Sequence, residues 1–301
     1  MLDAVRRHAV RTPLLRPADP VAADGSPALA LKLENLQATG SFKVRGAAAR
    51  MARLTPDERA AGVIAVSSGN HGRAVAYVAR REGVRAVVCV PEWVDPLKLA
   101  AMRAEGAEVR LAGTTYDEAE SVAREAAERE GAVWIDPFDD PWVMAGQGTI
   151  GLELAEQAPD AAAVVVPLSG GGLVSGVAAA LREAWHRRAD DGDGAEPRPA
   201  PRVIAVSAER ASVMLASVRA GRPVTLPEEP TLAGALSGGI GADNRYTFRA
   251  VRELVDEHVT VTEEEIGRAM AFAASRMKLL VEGGGAVALA ASMAGKLALP
   301  E

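Results

Sequence analysis

Four segments of this 301-residue chain carry residue types that could do chemistry. The first is Thr39-Gly40-Ser41-Phe42-Lys43, a small-residue turn opening an Ala-rich stretch. Lysine is usually a solvated surface charge. Here the chain holds only Lys32, Lys43, Lys98, Lys278 and Lys296, and Lys43 is flanked by Phe42 and Val44. A lysine in partly apolar surroundings holds its proton less tightly and can attack a carbonyl carbon. Spacing alone leaves the surface and the reactive roles both open. The second segment is Ser67-Ser68-Gly69-Asn70-His71, whose donors suit a carboxylate or a ring oxygen. His71 reads more simply as a capping residue than as a catalyst, and Asn70 as a left-handed turn residue or a ligand contact. The third, Ser169-Gly170-Gly171-Gly172, lies between a Val-rich run and a helical stretch. Glycines let backbone approach a ligand, and the free N–H groups of a helix start favour an anion such as phosphate. The spacing is neither GxGxxG followed by an acid nor GxxxxGK[ST], so dinucleotide and P-loop readings are weak. A tight turn without ligand remains open. The fourth is Glu282 before Gly283, Gly284 and Gly285. Its neighbours are apolar, and a carboxylate there needs a partner.

The surrounding pattern says what positions these segments. Short apolar runs at 62–68, 85–91, 107–113 and 132–136 alternate with amphipathic stretches at 72–83, 95–106 and 116–131. That is the signature of βαβ units and of parallel strands buried on both faces. A helix is expected over 141–157, then strands at 162–168 and 202–208 flanking a helix over 172–188. The Gly-, Pro- and Asp-rich stretch 189–201 reads as a solvated loop. A short strand over 258–262 ends in Thr262-Glu-Glu-Glu265, the spacing of a capping box that opens a helix to 280. Ser67–His71 and Ser169–Gly172 both follow predicted strands, at the carboxyl ends where open α/β sheets bind ligands. The fold class expected is α/β: open, twisted, mostly parallel sheets flanked by helices.

The bulk properties narrow the function. The chain is 49% hydrophobic and 25% charged with net charge −6, enough for a large core and without a basic footprint for nucleic acid. Cys89 stands alone in the sequence, cannot form an intrachain disulfide and suits a reducing compartment. The N-terminus has no long apolar stretch of the signal-peptide kind, and no apolar run approaches a membrane span. A cytoplasmic protein is expected.

In combination, SFKVRGA (41–47), SSGNHGRA (67–74) and SGGGL (169–173) resemble the pyridoxal-phosphate enzymes of the threonine dehydratase and serine racemase family. The resemblance runs from RTPLL (11–15) to about Lys296, and includes PFDDPWVMAGQGTIGLE (137–153) and RMKLLVEGGGAVALAA (276–291). It implies a large domain of 1–46 and 144–301 interrupted by a smaller one of 47–143, with the cofactor in the cleft between them, and a homodimer. It also implies roles. Lys43 would hold the cofactor as a Schiff base and later act as base at the substrate α-carbon. Phe42 would pack beside the ring and Asn70 would bond the ring hydroxyl. Ser67, Ser68, Gly69 and His71 would grip the substrate carboxylate. Gly170, Gly171, Gly172 and Leu173 would bond the phosphate, and Glu282 is grouped with the cofactor contacts.

The reaction implied is β-elimination of a β-hydroxy amino acid to a keto acid and ammonia. Threonine, serine and a hydroxyectoine-derived hydroxy diamino acid are the candidate substrates. The alternatives are an amino-acid racemase, in which Ser68 would act from the face opposite Lys43, and a cofactor-binding protein without turnover. A nucleotide-binding protein is suggested by the glycine loop alone. Ser169 stands where the loop usually begins with Gly, and Arg73 where relatives usually have Gln. Arg73, ERASVMLAS (209–217) and GGIGADNRYTF (238–248) look more like the hydroxyectoine-utilisation dehydratases. The stretch 207–217 lacks the acids of the racemase metal segment, so no metal site is expected. Relatives continue past the Lys296 region into a strand carrying a Ser or Cys that faces the pyridine nitrogen; either the sequence is incomplete there, which is the expectation, or the nitrogen meets a different group.

Overall fold

The computed structural model describes residues 1–17, 29–67, 69–92, 94–190 and 199–297. They pack as two compact units, one of Met1–Arg11 and Leu36–Gln147, the other of Thr12–Asn35 and Gly148–Glu301. The second unit contains the short antiparallel pair β1 (Leu14–Leu15) and β2 (Leu31–Lys32). Residues 1–11 and 36–46, which the sequence reading groups with the larger domain, pack in the first unit.

The first unit is a four-stranded parallel sheet of β3 (Val63–Val66), β4 (Ala86–Val90), β5 (Glu108–Leu111) and β6 (Val133–Trp134), in the order β5-β4-β3-β6. Every residue of β3 and β4 is buried, as parallel strands covered on both faces require. The edge strand β5 instead carries Glu108 and Arg110, and charge protects an unpaired strand edge. The helices are α1 (Leu2–Arg6), α2 (Lys43–Met51), α3 (Pro56–Ala61), α4 (Asn70–Glu82), α5 (Pro96–Ala104), α6 (Tyr116–Glu130) and the start of α7 (Pro141–Gln157). Ala119, Ala123, Ala126 and Ala127 form the buried stripe of α6, spaced for one helix face. The small side chains let α6 lie close on β3 and β4. Helices α4 and α6 end on Gly83 and Gly131, both left-handed.

The second unit holds the rest of α7 and a three-stranded parallel sheet of β7 (Ala163–Pro167), β8 (Arg202–Ala208) and β9 (Glu257–Val261), in that order. Its helices are α8 (Gly172–Asp190), α9 (Val213–Ala220), α10 (Thr247–Leu254), α11 (Glu263–Arg276) and α12 (Gly283–Met293). The Lys32 side chain is largely buried with its charge answered three ways: Nζ donates to Thr12 O (2.7 Å), Glu153 Oε2 (2.5 Å) and Gln157 Oε1 (2.8 Å). Among the described residues no helix is long and apolar enough to cross a membrane.

Two element ends depart from the sequence reading. Helix α8 runs on to Asp190, into the stretch expected as loop, and residues 191–198 of that stretch lie outside the described residues. Helix α11 stops at Arg276 rather than 280, because Lys278 takes a left-handed conformation (φ 57°) and Leu279 N–H turns back to Ala273 O at 3.0 Å.

The capping box at the head of α11 is formed: Thr262 Oγ1 accepts from Glu265 N–H (3.2 Å) and Glu265 Oε2 accepts from Thr262 N–H (2.8 Å). Thr262→Ala removes the first of these and should cost about 1 kcal/mol in denaturant unfolding. An unchanged midpoint and slope would show that the box does not contribute.

Candidate functional site

Lys43 is the first residue of α2, with Phe42 as N-cap. The helix buries Val44, Arg45, Gly46, Ala47, Ala48, Ala49 and Met51, so the backbone carrying the lysine is fixed by packing. A Cβ on Gly46 would overlap the Gln147 amide and Val143, and only glycine lets α2 meet α7 this closely. Gln147 Oε1 also accepts from the Gly46 N–H (3.1 Å), a second tie between the start of α2 and α7.

The Lys43 amine points inward, 5.5 Å from the centre of the Phe42 ring, and Nζ donates to Pro137 O at 2.6 Å. Burial lowers its pKa from 10.5 to about 8, while the nearby Asp136 carboxylate pulls it back up. Such an amine is partly unprotonated near neutral pH, which suits both nucleophilic attack and proton transfer.

The 67–71 turn leaves the carboxyl end of β3 in the same unit. Ser67 N–H bonds to Cys89 O (3.2 Å), and Ser67 Oγ accepts from Gly69 N–H (3.1 Å). Gly69 caps α4, and Gly72 brings the helix start so near the sheet that a Cβ would stand 2.8 Å from Ser67 O. Ser68 lies outside the described residues. His71 is buried, and its Nε2 meets Ile135 O at 2.9 Å. A carbonyl only accepts, so Nε2 carries the proton. Burial, reinforced by the Lys43 charge and opposed by the bond to Ile135, lowers the His71 pKa to about 3. The ring is therefore neutral and committed to Ile135. What His71 offers an anion is its backbone N–H in the first turn of α4, beside that of Asn70.

The glycine loop belongs to the second unit. Leu168 N–H bonds to Val206 O (2.7 Å) and Leu168 O accepts from Ser207 Oγ (3.0 Å), which fixes the end of β7. Ser169, Gly170 and Gly171 then turn the chain into α8, with Gly172 and Leu173 as its first residues. Gly171 has φ 88°, where an L side chain is strained, and three buried side chains stand against the place of its Cβ. The first-turn N–H groups of a 19-residue helix face the loop. Ser175, in that turn, buries a hydroxyl with no hydrogen-bond partner among the described residues. This is a cradle for an anion with several acceptor oxygens.

Glu282 is the N-cap of α12 and is exposed, so its charge is solvated rather than buried. Of its apolar sequence neighbours, Leu280 is itself exposed and Val281 is half-buried. Gly283 is needed for a different reason, since a Cβ there would overlap the backbone of Leu232 and Ala233.

The structure thus brings Phe42, Lys43, Ser67, Gly69, Asn70 and His71 into the first unit, and places Gly170–Leu173 and Glu282 in the second. Sequence reasoning covered the segment 135–139 as a strand end and part of the resemblance but gave no role to its Ile135 and Pro137 carbonyls, which hold His71 and Lys43. The available signal was Asp136-Pro137 at the end of a predicted strand, a turn-initiating pair.

A family model described as pyridoxal-phosphate dependent enzyme matches residues 5–301. The L-threonine ammonia-lyase of Geobacter sulfurreducens is 43% identical over 289 residues, 96% of this chain and 68% of that protein. Among solved structures, the threonine deaminase of T.th. is 39% identical, with a TM-score of 0.86 covering 99% of this chain and 92% of that one. Maize serine racemase is 32% identical, with a TM-score of 0.86 over 97% of this chain and 85% of that one.

Proposed function

The chain belongs to the pyridoxal-phosphate dependent enzymes, and from that membership we propose that it is a dehydratase acting on a β-hydroxy amino acid of the threonine or serine kind. The observation that carries this reading is the buried Lys43 amine, with a pKa of about 8, in the unit that also presents the helix start of α4. The relatives named as threonine ammonia-lyase and threonine deaminase support the same chemistry.

The donors fit the cofactor. The Gly171 turn, the N-terminus of α8 and the unpartnered Ser175 hydroxyl suit a phosphate. Gly170, Gly171, Gly172 and Leu173 would hold that phosphate through backbone N–H groups. Lys43 would hold the aldehyde carbon, Phe42 would pack beside the ring, and Asn70 would bond the ring hydroxyl. Glu282, exposed at the head of α12, would contribute at most through its charge.

Pyridoxal phosphate supplies the electron sink that makes the α-proton of a bound amino acid removable. The protein does the rest. The Ser67 hydroxyl and the first-turn N–H groups of Asn70 and His71 orient the substrate carboxylate. The Lys43 amine, besides holding the cofactor, would take the α-proton. The β-hydroxyl departs with a proton as water, one water is taken up later, and the net products are a keto acid and ammonia.

A racemase reading is favoured by one observation, the close likeness to maize serine racemase. It would need a second acid–base group facing Lys43, for which Ser68 is the candidate. One experiment addresses both. The purified chain is treated with borohydride and peptide-mapped, then assayed with L-serine, L-threonine and a hydroxyectoine-derived amino acid for keto acid and for the D-enantiomer. The expected result is a pyridoxyl adduct on Lys43 and keto acid formation. An adduct elsewhere, or D-amino acid without keto acid, would overturn the reading. The proposal extends to a cytoplasmic homodimer. The lone, buried Cys89 is consistent with a reducing compartment, and sedimentation tests the assembly.

A further inference from the structure

Asp136 sits between the two carbonyls that hold the site. Ile135 O meets the His71 ring at 2.9 Å and Pro137 O accepts from the Lys43 amine at 2.6 Å. The Asp136 side chain organises this segment: Oδ1 accepts from both Phe138 N–H (3.0 Å) and Asp139 N–H (2.7 Å). That is an Asx turn, which an asparagine could make equally well. The negative charge is therefore surplus to the turn.

Nor does a close ion pair consume it. Arg124 on α6 stands 3.9 Å from Oδ2, and that guanidinium is already bonded to Glu120 (2.7 Å) and stacked 4.5 Å over Trp134. Trp134 Nε1 reaches Oδ2 only at 3.4 Å. Of the other groups around the turn, Asp140 pairs with Arg50 at 3.1 Å, His71 on α4 is neutral, and Asp139 is a second carboxylate within the turn, its N–H bonded to Asp136 Oδ1. Lys43 on α2 is the buried cation whose proton this carboxylate helps to hold.

We propose that Asp136 is the positioning residue of Lys43: its side chain fixes the 136–139 turn that holds the amine, and its charge supplies the field in which that amine takes up and returns a proton. The proposal rests on the preceding reading only for the role of Lys43. Burial weakens the amine's hold on the proton it removes, and the carboxylate offsets part of that loss.

The test uses the full chain stripped of cofactor, with a small acylating reagent and peptide mapping to follow Lys43 labelling against pH. In the parent the labelling midpoint lies near pH 8. Asp136→Asn keeps the turn and removes the charge, so the midpoint falls by about one pH unit and labelling at pH 7 rises about fivefold. Arg124→Ala acts oppositely, raising the midpoint, and decides the matter should the first variant not fold. Asp136→Ala loses the turn as well, and its reloaded enzyme loses more activity than Asp136→Asn. An unmoved midpoint in Asp136→Asn or Arg124→Ala overturns the proposal, whatever happens to activity. Failure of the proposed function would look different, with no keto acid formed while the midpoint still shifts.

Discussion

Lys43→Met forms no borohydride-fixed pyridoxyl adduct and loses on the order of a thousandfold or more of any keto-acid-forming activity. Methionine keeps the length and much of the apolar bulk of the lysine stem, so α2 should still dock through Val44, Ala47, Ala48 and Met51. What disappears is the amine that Pro137 holds. The same substitution has a stability signature. The Lys43 pKa is about 8 in the folded chain against an ordinary 10.5. Below pH 8 both states are protonated, and the folded state bears the full cost of burying the charge. Between pH 8 and about 10.5 the unfolded chain binds more protons, so the parent gains stability as pH rises. The gain amounts to as much as about 3 kcal/mol, and the variant lacks it. Cofactor-free parent and variant unfolded in denaturant at pH 7 and pH 10 test this directly. Other titrating groups are common to both proteins and cancel. A parent–variant difference that does not change with pH would mean the amine is solvated, and the site would lose its reactive lysine.

That cost explains why the site could be only half read from sequence. The elements were legible because their signals are local. Val63–Val66 and Ala86–Val90 are continuous apolar runs between turn residues, and the α6 alanines recur on one helix face. The Thr262–Glu265 box announces its helix in four residues. The three ligand-type turns were visible for the same reason, since each combines glycine with donors at the end of a predicted strand or the start of a helix. The environment of Lys43 was not local. Pro137 lies 94 residues away in sequence and reaches the amine only because β6 pairs beside β3. His71 reaches Ile135 across 64 residues by the same pairing. Whether a lysine is a surface charge or a lowered-pKa nucleophile is decided by such contacts. Glu282 shows the converse, a carboxylate among apolar sequence neighbours that the helix start leaves exposed.

Gly171→Ala should destabilise the chain by about 2–5 kcal/mol and release the cofactor on dialysis. Two effects add. At φ 88° an alanine places its Cβ against its own backbone, a strain of about 1–2 kcal/mol that glycine escapes. The new Cβ would also stand 2.9 Å from Val251 Cγ2, 3.0 Å from Met214 Cε and 3.1 Å from Thr247 Cβ. All three residues are at most 1% exposed, so none can swing into solvent. Either α9 and α10 shift or the loop does, at a further cost of about 1–3 kcal/mol. If the loop moves, the N–H groups at the head of α8 no longer converge and phosphate binding weakens. Ser175→Ala separates the two consequences. It removes the unpartnered hydroxyl from the first turn of α8 without changing the backbone. That variant should melt close to the parent, since an unsatisfied buried hydroxyl contributes nothing to the fold. Its cofactor should nevertheless dissociate faster, read as loss of visible absorbance during dialysis. Should Gly171→Ala melt with the parent and keep its absorbance, the loop would be a tight turn without a guest. The phosphate would then have to be held elsewhere in the chain.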